Sequence, residues 1–264
     1  MTEVYSIALD TSTKIERLIG KIEGETPGPT LIFMGGIHGN EPAGVFALKK
    51  VVDYLKPRNV VGNIYAIAGN LSALKKGIRY NQEDLNRLWT KQQVENLPNN
   101  STETENLDIA EQIEVNNIIN DILETEGGPF YFFDLHTTSS ETLPFLAVND
   151  SLLNRAFTVQ YPLPIILGIE EYLDGPILSY INELGYVAFG FEAGQHDDMA
   201  SIENCIAFIL LTLTFTGSLS KDQIDYHKHF EILAKTTGGD TQLFEIYYRY
   251  LVENEEEFEM LPGF

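Results

Sequence analysis

Residues 31–44 read Leu31-Ile-Phe-Met-Gly-Gly-Ile-His-Gly-Asn-Glu-Pro-Ala-Gly44. The apolar run 31–34 has the length and composition of a buried strand, two glycines interrupt it, and residues 43–52 have the pattern of a helix. His38 and Glu41 therefore lie on the loop in which a strand gives way to a helix. Because open α/β sheets bind ligands at the carboxyl ends of their strands, this loop is the expected place for chemistry.

The pair formed by His38 and Glu41 is a candidate half-site for a metal ion. An imidazole and a carboxylate three residues apart on a loop can chelate zinc at about 2.0–2.2 Å from each donor atom. The pair alone is weak support, because a glutamate-rich chain contains such spacings by chance. A catalytic zinc site needs a third protein ligand and leaves a fourth position for water.

A candidate for the third ligand follows about a hundred residues later. Residues 130–139 read Phe-Tyr-Phe-Phe-Asp-Leu-His-Thr-Thr-Ser, an aromatic strand that ends in polar residues. Alternation along a strand puts Asp134 and His136 on the same face. A histidine that is only hydrogen-bonded at a strand end is the alternative. The earlier strand that ends in His38 and Glu41 favours the metal ligand.

Two more polar clusters are candidates for a catalytic site. Residues 79–89 contain Arg79, Asn86 and Arg87, and arginine is the usual residue for binding a carboxylate or stabilising an oxyanion. A solvated loop with surface ion pairs is the alternative. Glu192 follows an apolar run at an expected strand end and could serve as a general base if it reaches the reacting water.

The four motifs, in this order and at this spacing, resemble the succinylglutamate desuccinylase and aspartoacylase family, a branch of the zinc carboxypeptidase-like hydrolases. The resemblance extends over about residues 15–250 and implies an α/β fold in which a twisted mixed sheet is flanked by helices. The motifs that carry it are Gly-x-His38-Gly-Asn-Glu41, Arg79 through Asp84-Leu-Asn86-Arg87, Asp134-Leu-His136-Thr and Glu192-x-Gly-Gln.

The resemblance implies a metal site and a catalytic base. His38, Glu41 and His136 match the three zinc ligands of the family, with one Zn²⁺ per chain. Glu192 matches the glutamate that takes a proton from water and passes it to the leaving amine. Asp134 is the expected partner of a ligating histidine, because such histidines usually donate their other N–H to a carboxylate or carbonyl.

The resemblance also implies how a substrate is bound. Arg79 matches the arginine that polarises the scissile carbonyl, and Asn86 with Arg87 matches the pair that holds a substrate carboxylate. The implied activity is zinc-dependent hydrolysis of the amide bond of an N-acyl amino acid or a similar small acyl compound. A carboxypeptidase that acts on peptides, and a non-catalytic binding protein on the same fold, remain as alternatives.

The chain departs from the family pattern at two places. Aspartoacylases carry an arginine for the substrate's side-chain carboxylate about ten residues before the catalytic glutamate, but residues 179–187, around Asn182, contain none. Arg79 and Arg87 can engage one carbonyl and one carboxylate, which is enough for an N-acyl amino acid with a neutral side chain, and the sequence does not identify the amino acid. Family members also continue into a small C-terminal β domain, so we expect a hydrolase domain over 1–240 and a short segment, 241–264, in which that domain is short or absent.

Charge and composition limit the partners. The formal net charge is −22, and Arg155 is the only lysine or arginine between Lys91 and Lys221. This acidity argues against nucleic acid and anionic membranes as partners and leaves a small-molecule substrate. The lone Cys205, the absence of a long apolar run and an N-terminus unlike a signal peptide predict a cytoplasmic protein. The sequence does not indicate the oligomeric state.

The remaining pattern predicts further elements. We expect strands at 14–25 and 63–68, an amphipathic helix at 109–124, a loop at 96–106, a buried helix at 202–213 and a solvated acidic run at 253–259. His196 either lines the pocket or caps a helix. His227 and His229 are either surface histidines or ligands of a second metal.

Overall fold

The structure, a computed structural model, describes residues 1–56, 58–97, 104–250 and 252. The acidic run predicted at 253–259 and most of the loop predicted at 96–106 lie outside the described residues. The strands are β1 (Thr2–Ser6), β2 (Thr11–Ile15), β3 (Leu18–Glu23), β4 (Thr26–Gly35), β5 (Val61–Ala68), β6 (Phe130–Thr138), β7 (Phe145–Val148), β8 (Ile165–Leu167), β9 (Val187–Gln195) and β10 (Leu243–Glu245).

The helices connect these strands and cover them. They are α1 (Ala43–Leu55), α2 (Leu71–Lys76), α3 (Lys91–Glu95), α4 (Leu107–Thr125), α5 (Leu152–Thr158), α6 (Ile177–Glu183), α7 (Met199–Phe215) and α8 (Tyr226–Thr236), with 3₁₀ turns at Leu85–Arg87, Glu170–Tyr172 and Lys221–Gln223. None of the helices in the described ranges has both the length and the apolar composition that a membrane span requires.

Eight of the described strands form one mixed sheet in the order β10-β8-β7-β9-β6-β4-β5-β3. The strands β5, β4, β6 and β9 at its centre run parallel, whereas β3 and β7 pair antiparallel with β5 and β9. The expected α/β fold with a mixed sheet between helices is confirmed. Because β4, β6 and β9 are parallel neighbours, the residues that follow them meet at one edge of the sheet.

The apolar run in β4 is continuous because both faces of the sheet are covered. Leu31 and Phe33 pack in the core beneath α1 and α7, while Ile32 and Met34 pack in the core beneath α4 and α6. The first core contains a group of packed aromatic rings, in which Phe208 of α7 stacks on Phe191 with ring centroids 4.4 Å apart. Two buried faces hold the central strands rigid under the loops that follow them.

The helices predicted at 43–52, 109–124 and 202–213 correspond to α1, α4 and α7, and the strand predicted at 63–68 corresponds to β5. The single strand predicted at 14–25 is wrong, because the structure divides it into β2 and β3. The division falls at Arg17, whose buried guanidinium donates to the carbonyls of Ala68 and Gly69 and pairs with Glu111 of α4.

Two features near the chain ends complete the fold. The N-terminal hairpin β1-β2, which the sequence pattern did not predict, forms a separate two-stranded sheet. The edge strand β10 lies within the predicted segment 241–264 and pairs parallel with β8, so its described part extends the central sheet. The division of the chain after residue 240 stays a prediction.

Candidate metal centre and active site

A buried cluster of His38, Glu41 and His136 lies at the carboxyl end of the central strands. His38 and Glu41 are on the loop between β4 and α1, and His136 is near the end of β6, the neighbour of β4. One potential ligand atom from each residue lies within 4.8 Å of the others. In the described part of the chain this is the only group of three such side chains, and all three are buried.

The two imidazoles point the same nitrogen at one carboxylate. Nδ1 of His38 lies 2.9 Å from Oε1 of Glu41, and Nδ1 of His136 lies 3.2 Å from Oε2. The backbone N–H of Thr137 donates to Oε2 at 3.0 Å and fixes the carboxylate. Two imidazole nitrogens and a carboxylate oxygen form a donor set that suits zinc, so these residues could hold a metal ion.

The outer nitrogen of each histidine faces a second carboxylate. Nε2 of His136 lies 2.7 Å from Oδ2 of Asp134, and Nε2 of His38 lies 3.1 Å from Oδ1 of Asp84. Such partners fix the ring orientation of metal-ligating histidines. The sequence suggested Asp134 as a partner but not Asp84, because nothing in its loop indicates that it folds back onto His38.

The electrostatics of the cluster favour a cation. Burial alone would lower the pKa of both histidines, but Asp134 and Glu41 raise the pKa of His136 well above its ordinary value. Asp84 and Glu41 likewise raise that of His38. Burial would raise the pKa of Glu41, yet the two histidines hold it well below its usual range. Three carboxylates around two imidazoles therefore stabilise positive charge at this point.

Glu192 lies on β9, directly beside His136 in the strand register, and lines the same cavity. Its Oε2 is buried and has no hydrogen-bond partner among the described residues. Burial, together with the charge of Glu41, raises the pKa of Glu192 to about 7. A carboxyl group of this pKa can exchange a proton with a reacting group near neutral pH.

The loop that follows α2 brings Arg79, Asn86 and Arg87 to the same cavity, which has a volume of about 460 Å³. The Arg79 guanidinium donates to Asp84 Oδ2 at 3.0 and 3.3 Å and is 42% exposed. Arg87 donates to the carbonyl of Asn86 at 2.5 Å. The seven predicted ligands, catalytic residues and substrate contacts therefore share one cavity, and Asp134 lies fully buried behind His136.

Asp108, in the first turn of α4, anchors the loop that carries these residues. Its carboxylate accepts the backbone N–H groups of Asn81, Gln82 and Glu83 at 2.6–3.1 Å and Nδ2 of Asn70 at 2.7 Å. The sequence pattern did not predict this anchor, since an aspartate at a helix start usually indicates no more than a favourable charge near the helix N-terminus.

Replacing Asp108 with asparagine should lower the free energy of unfolding by about 1–3 kcal/mol at pH 7, because an amide cannot accept all these hydrogen bonds. Burial would raise the pKa of Asp108, but the donors from Gln82, Glu83, Asn70 and Asn81 lower it. A lowered folded-state pKa contributes stability above the unfolded value, about 3.9, which is lost as pH falls through the folded pKa.

Urea denaturation at pH 7 and at successively lower pH would measure this effect. The difference between wild type and Asp108→Asn should shrink below about pH 4. Asp121→Asn, an exposed position on the same helix, is the matched control and should change stability little. An equal deficit for Asp108→Asn at every pH would show that the carboxylate charge is not what anchors the loop.

The remaining histidines have different positions. His196 lines the cavity, with Nδ1 2.8 Å from Oγ1 of Thr137, while Asp198 caps α7 by accepting the Ala200 N–H. Of the two alternatives left open for His196, the structure supports the pocket position. His227 is exposed and His229 half-buried on α8.

In comparisons with known proteins, the chain is similar to succinylglutamate desuccinylases and to a succinylglutamate desuccinylase/aspartoacylase. The succinylglutamate desuccinylase of Serratia proteamaculans is 31% identical over 136 residues, which cover 49% of this chain and 37% of that protein. Structures of a succinylglutamate desuccinylase from Chromobacterium violaceum and of a succinylglutamate desuccinylase/aspartoacylase from Rhodobacter sphaeroides share the fold, with TM-scores of 0.61 and 0.59 and identities of 15% and 18%.

The extent of these matches differs. The Chromobacterium match covers 90% of this chain and 75% of that chain, and the Rhodobacter match covers 76% and 58%. The match to the Serratia relative is shorter, and the chain spans just over a third of that protein. The family model of the succinylglutamate desuccinylase/aspartoacylase catalytic domain matches residues 27–203, a range that contains the whole candidate site. The chain belongs to the succinylglutamate desuccinylase/aspartoacylase family.

Proposed function

We propose that this chain is a zinc-dependent amidohydrolase that cleaves the amide bond of an N-acyl amino acid. The observation that carries the proposal is the convergence of two histidine Nδ1 atoms on Glu41, beside Glu192, whose Oε2 has no hydrogen-bond partner among the described residues. The cavity also contains two arginines that can bind anionic groups. A metal site, a base and a carboxylate-binding group together can carry out metal-dependent deacylation of an amino acid.

His38, Glu41 and His136 would hold the metal. When bound there, zinc would supply a Lewis acid and lower the pKa of water. The donor set fits this ion, because zinc prefers imidazole and carboxylate ligands and keeps one position open in catalytic sites. The outer carboxylates of Asp84 and Asp134 would keep both histidines oriented with Nδ1 towards the ion.

Glu192 would act as the general base and then as the general acid. Its carboxylate would accept a proton from the water whose oxygen attacks the carbonyl carbon. It would return that proton to the amide nitrogen as the C–N bond breaks, which releases a carboxylic acid and an amine. Burial and the charge of Glu41 raise the pKa of this carboxyl above its ordinary value, which makes it a better proton acceptor than a solvated glutamate.

Arg79, Asn86 and Arg87 would position the substrate. Arg79 would stabilise the negative charge that develops on the carbonyl oxygen, and Asp84 holds its guanidinium towards the cavity. Asn86 uses Oδ1 to accept the Ile177 N–H at 3.0 Å, so its Nδ2 is the group that can donate to a ligand. With the Arg87 guanidinium, it would bind the α-carboxylate of the amino acid.

Metal analysis followed by a substrate panel tests the proposal. Purified protein supplied with zinc should contain about one ion per chain and release free amine from N-acyl amino acids, and a chelator should abolish this activity. Short peptides in the same panel separate a deacylase from a carboxypeptidase. A protein that neither retains zinc nor gains activity when zinc is added would contradict the proposed function.

A further inference from the structure

One part of the cavity wall is apolar and is separate from the groups assigned above. Phe145 and Ala147 come from β7, Gly190 comes from β9 and Leu178 from α6, and the connection between β8 and α6 adds Ile169 and Leu173. In the register of β7 and β9, Ala147 lies opposite Gly190 and Phe145 lies opposite Glu192. This apolar wall therefore extends along the sheet from the proposed base.

Two small residues, Gly190 and Ala147, form adjoining parts of the apolar wall. A Cβ atom added to Gly190 would lie 3.5 Å from Cβ of Ala147 and 3.5 Å from Cδ1 of Leu178, which are ordinary van der Waals distances. The position thus has room for a methyl group, and no backbone conformation there requires glycine. The space above Gly190 and Ala147 belongs to the cavity and is open to a substrate group.

The apolar wall adjoins the proposed carboxylate-binding pair. Asn86 accepts the N–H of Ile177, the residue before Leu178, and the N–H of Trp89 donates to the carbonyl of Gly175 at 3.0 Å. These bonds hold the turn that carries Asn86 against the start of α6. The side chain of an amino acid is attached to Cα, the carbon next to the carboxylate. With the carboxylate bound by Asn86 and Arg87, the side chain is therefore the substrate group that would reach the apolar wall.

The residues of the apolar wall include no positively charged group that could pair with an acidic side chain of a substrate. Among the described residues that line the cavity, Arg79 and Arg87 are the only lysines or arginines. Arg155 pairs with Asp150 on the exposed side of α5, and Arg249, also exposed, donates to the carbonyl of Tyr172. A carboxylate placed against the apolar wall would lose its hydration without a partner, which is unfavourable.

We infer that the site selects N-acyl amino acids with an apolar side chain, which would occupy the space above Gly190 and Ala147. The inference rests on the proposed deacylase function and adds the class of amino acid. It assigns Gly190 and Ala147 as the residues that set the size of the accepted side chain. Neither residue takes part in the proposed chemistry.

A panel of N-acetyl derivatives of glycine, alanine, leucine, phenylalanine and aspartate, together with N-succinylglutamate, tests the inference on zinc-loaded protein. The value of kcat/KM should be at least about tenfold higher for leucine or phenylalanine than for glycine or aspartate, because burial of an apolar side chain gives discrimination of this order. A preference for aspartate or N-succinylglutamate would overturn the inference and leave the proposed function intact. Failure to hydrolyse every compound would instead contradict the proposed function.

Two variants test the assigned residues. Gly190→Ala should lower kcat/KM for the leucine and phenylalanine substrates by about tenfold or more and leave N-acetylglycine nearly unchanged. Ala147→Val reaches the same space from the neighbouring strand and should act in the same direction. Gly127→Ala, where an added Cβ meets nothing within 4 Å, is the matched control. Equal loss with every substrate would contradict a role in side-chain selection.

Binding gives a readout that does not depend on turnover. In the Glu192→Gln background, calorimetric titration with N-acetylleucine should show weaker binding when Gly190→Ala is added, and titration with N-acetylglycine should not. A series with longer acyl groups on glycine distinguishes the two ends of the substrate. If Gly190→Ala alters the response to acyl length and not to the amino-acid side chain, the apolar wall binds the acyl group and the assignment is wrong.

Discussion

Glu192→Gln should lower kcat/KM for amide hydrolysis by about 10²–10⁴-fold, the usual contribution of a positioned general base. Glutamine has nearly the same shape but cannot accept a proton from water at neutral pH. Glu192 lies beside His136, its Oε2 is buried and unpaired among the described residues, and its pKa is raised to about 7. The zinc content should remain at the wild-type level, because Glu192 is not among the three converging ligands.

Parallel measurements of activity, zinc content and thermal stability would separate a chemical loss from a structural one. Glu183→Gln, at an exposed position on α6, is the matched control and should retain activity. The melting temperature of Glu192→Gln should change little, because glutamine has nearly the same shape and the replaced Oε2 accepts no hydrogen bond that could be lost. Full activity in Glu192→Gln would exclude this residue as the base.

The positions of the central strands were predictable because both faces of the sheet are covered. Residues 31–34 and 130–133 lie in strands β4 and β6, which are covered on both faces and therefore read as continuous apolar runs. What the runs do not specify is which strands are neighbours. His38 and His136 are 98 positions apart, and only the parallel pairing of β4 with β6 brings their rings to a centroid distance of 5.2 Å.

The supporting carboxylates of the site were harder to predict. Asp84 and Asp108 are aspartates in or beside a polar loop, and such residues are common in solvated turns. Their roles depend on tertiary contacts: Asp84 reaches His38 across 46 positions, and Asp108 accepts from Asn81 across 27. No local pattern encodes contacts of this length, so the aspartates that support a site are harder to predict than the strands beneath it.

The residues that would contact the substrate's side chain were also hard to predict from the sequence. The absence of an arginine around Asn182 allowed a substrate with a neutral side chain, but it could not indicate which residues contact that side chain. The Asn182 side chain accepts a hydrogen bond from Asn149 at 2.9 Å and donates one to the carbonyl of Tyr186 at 3.0 Å. Both ends of this amide are therefore hydrogen-bonded within the fold. The apolar wall was not predictable, because Gly190 and Ala147 face each other only through the antiparallel pairing of β7 with β9.

Glu41→Gln should abolish stable zinc binding and, with it, the hydrolysis of amides. The Glu41 carboxylate faces Nδ1 of both histidines and accepts the Thr137 N–H. A neutral amide removes the only anionic ligand of the triad and can direct just one oxygen towards the ion. Loss of an outer partner such as Asp134 typically costs about 10–100-fold in metal affinity, so loss of a ligand should cost more than Asp134→Asn does.

Competition with a chromogenic chelator would rank the zinc affinities of wild type, Asp134→Asn and Glu41→Gln, which should fall in that order. Glu183→Gln should bind as wild type does. The order follows from geometry, since Asp134 lies 2.7 Å from the outer nitrogen of His136 whereas Glu41 lies on the inner side of both rings. If Glu41→Gln bound zinc as tightly as wild type, Glu41 would not be a ligand of the ion and the proposed His38-Glu41-His136 site would be wrong.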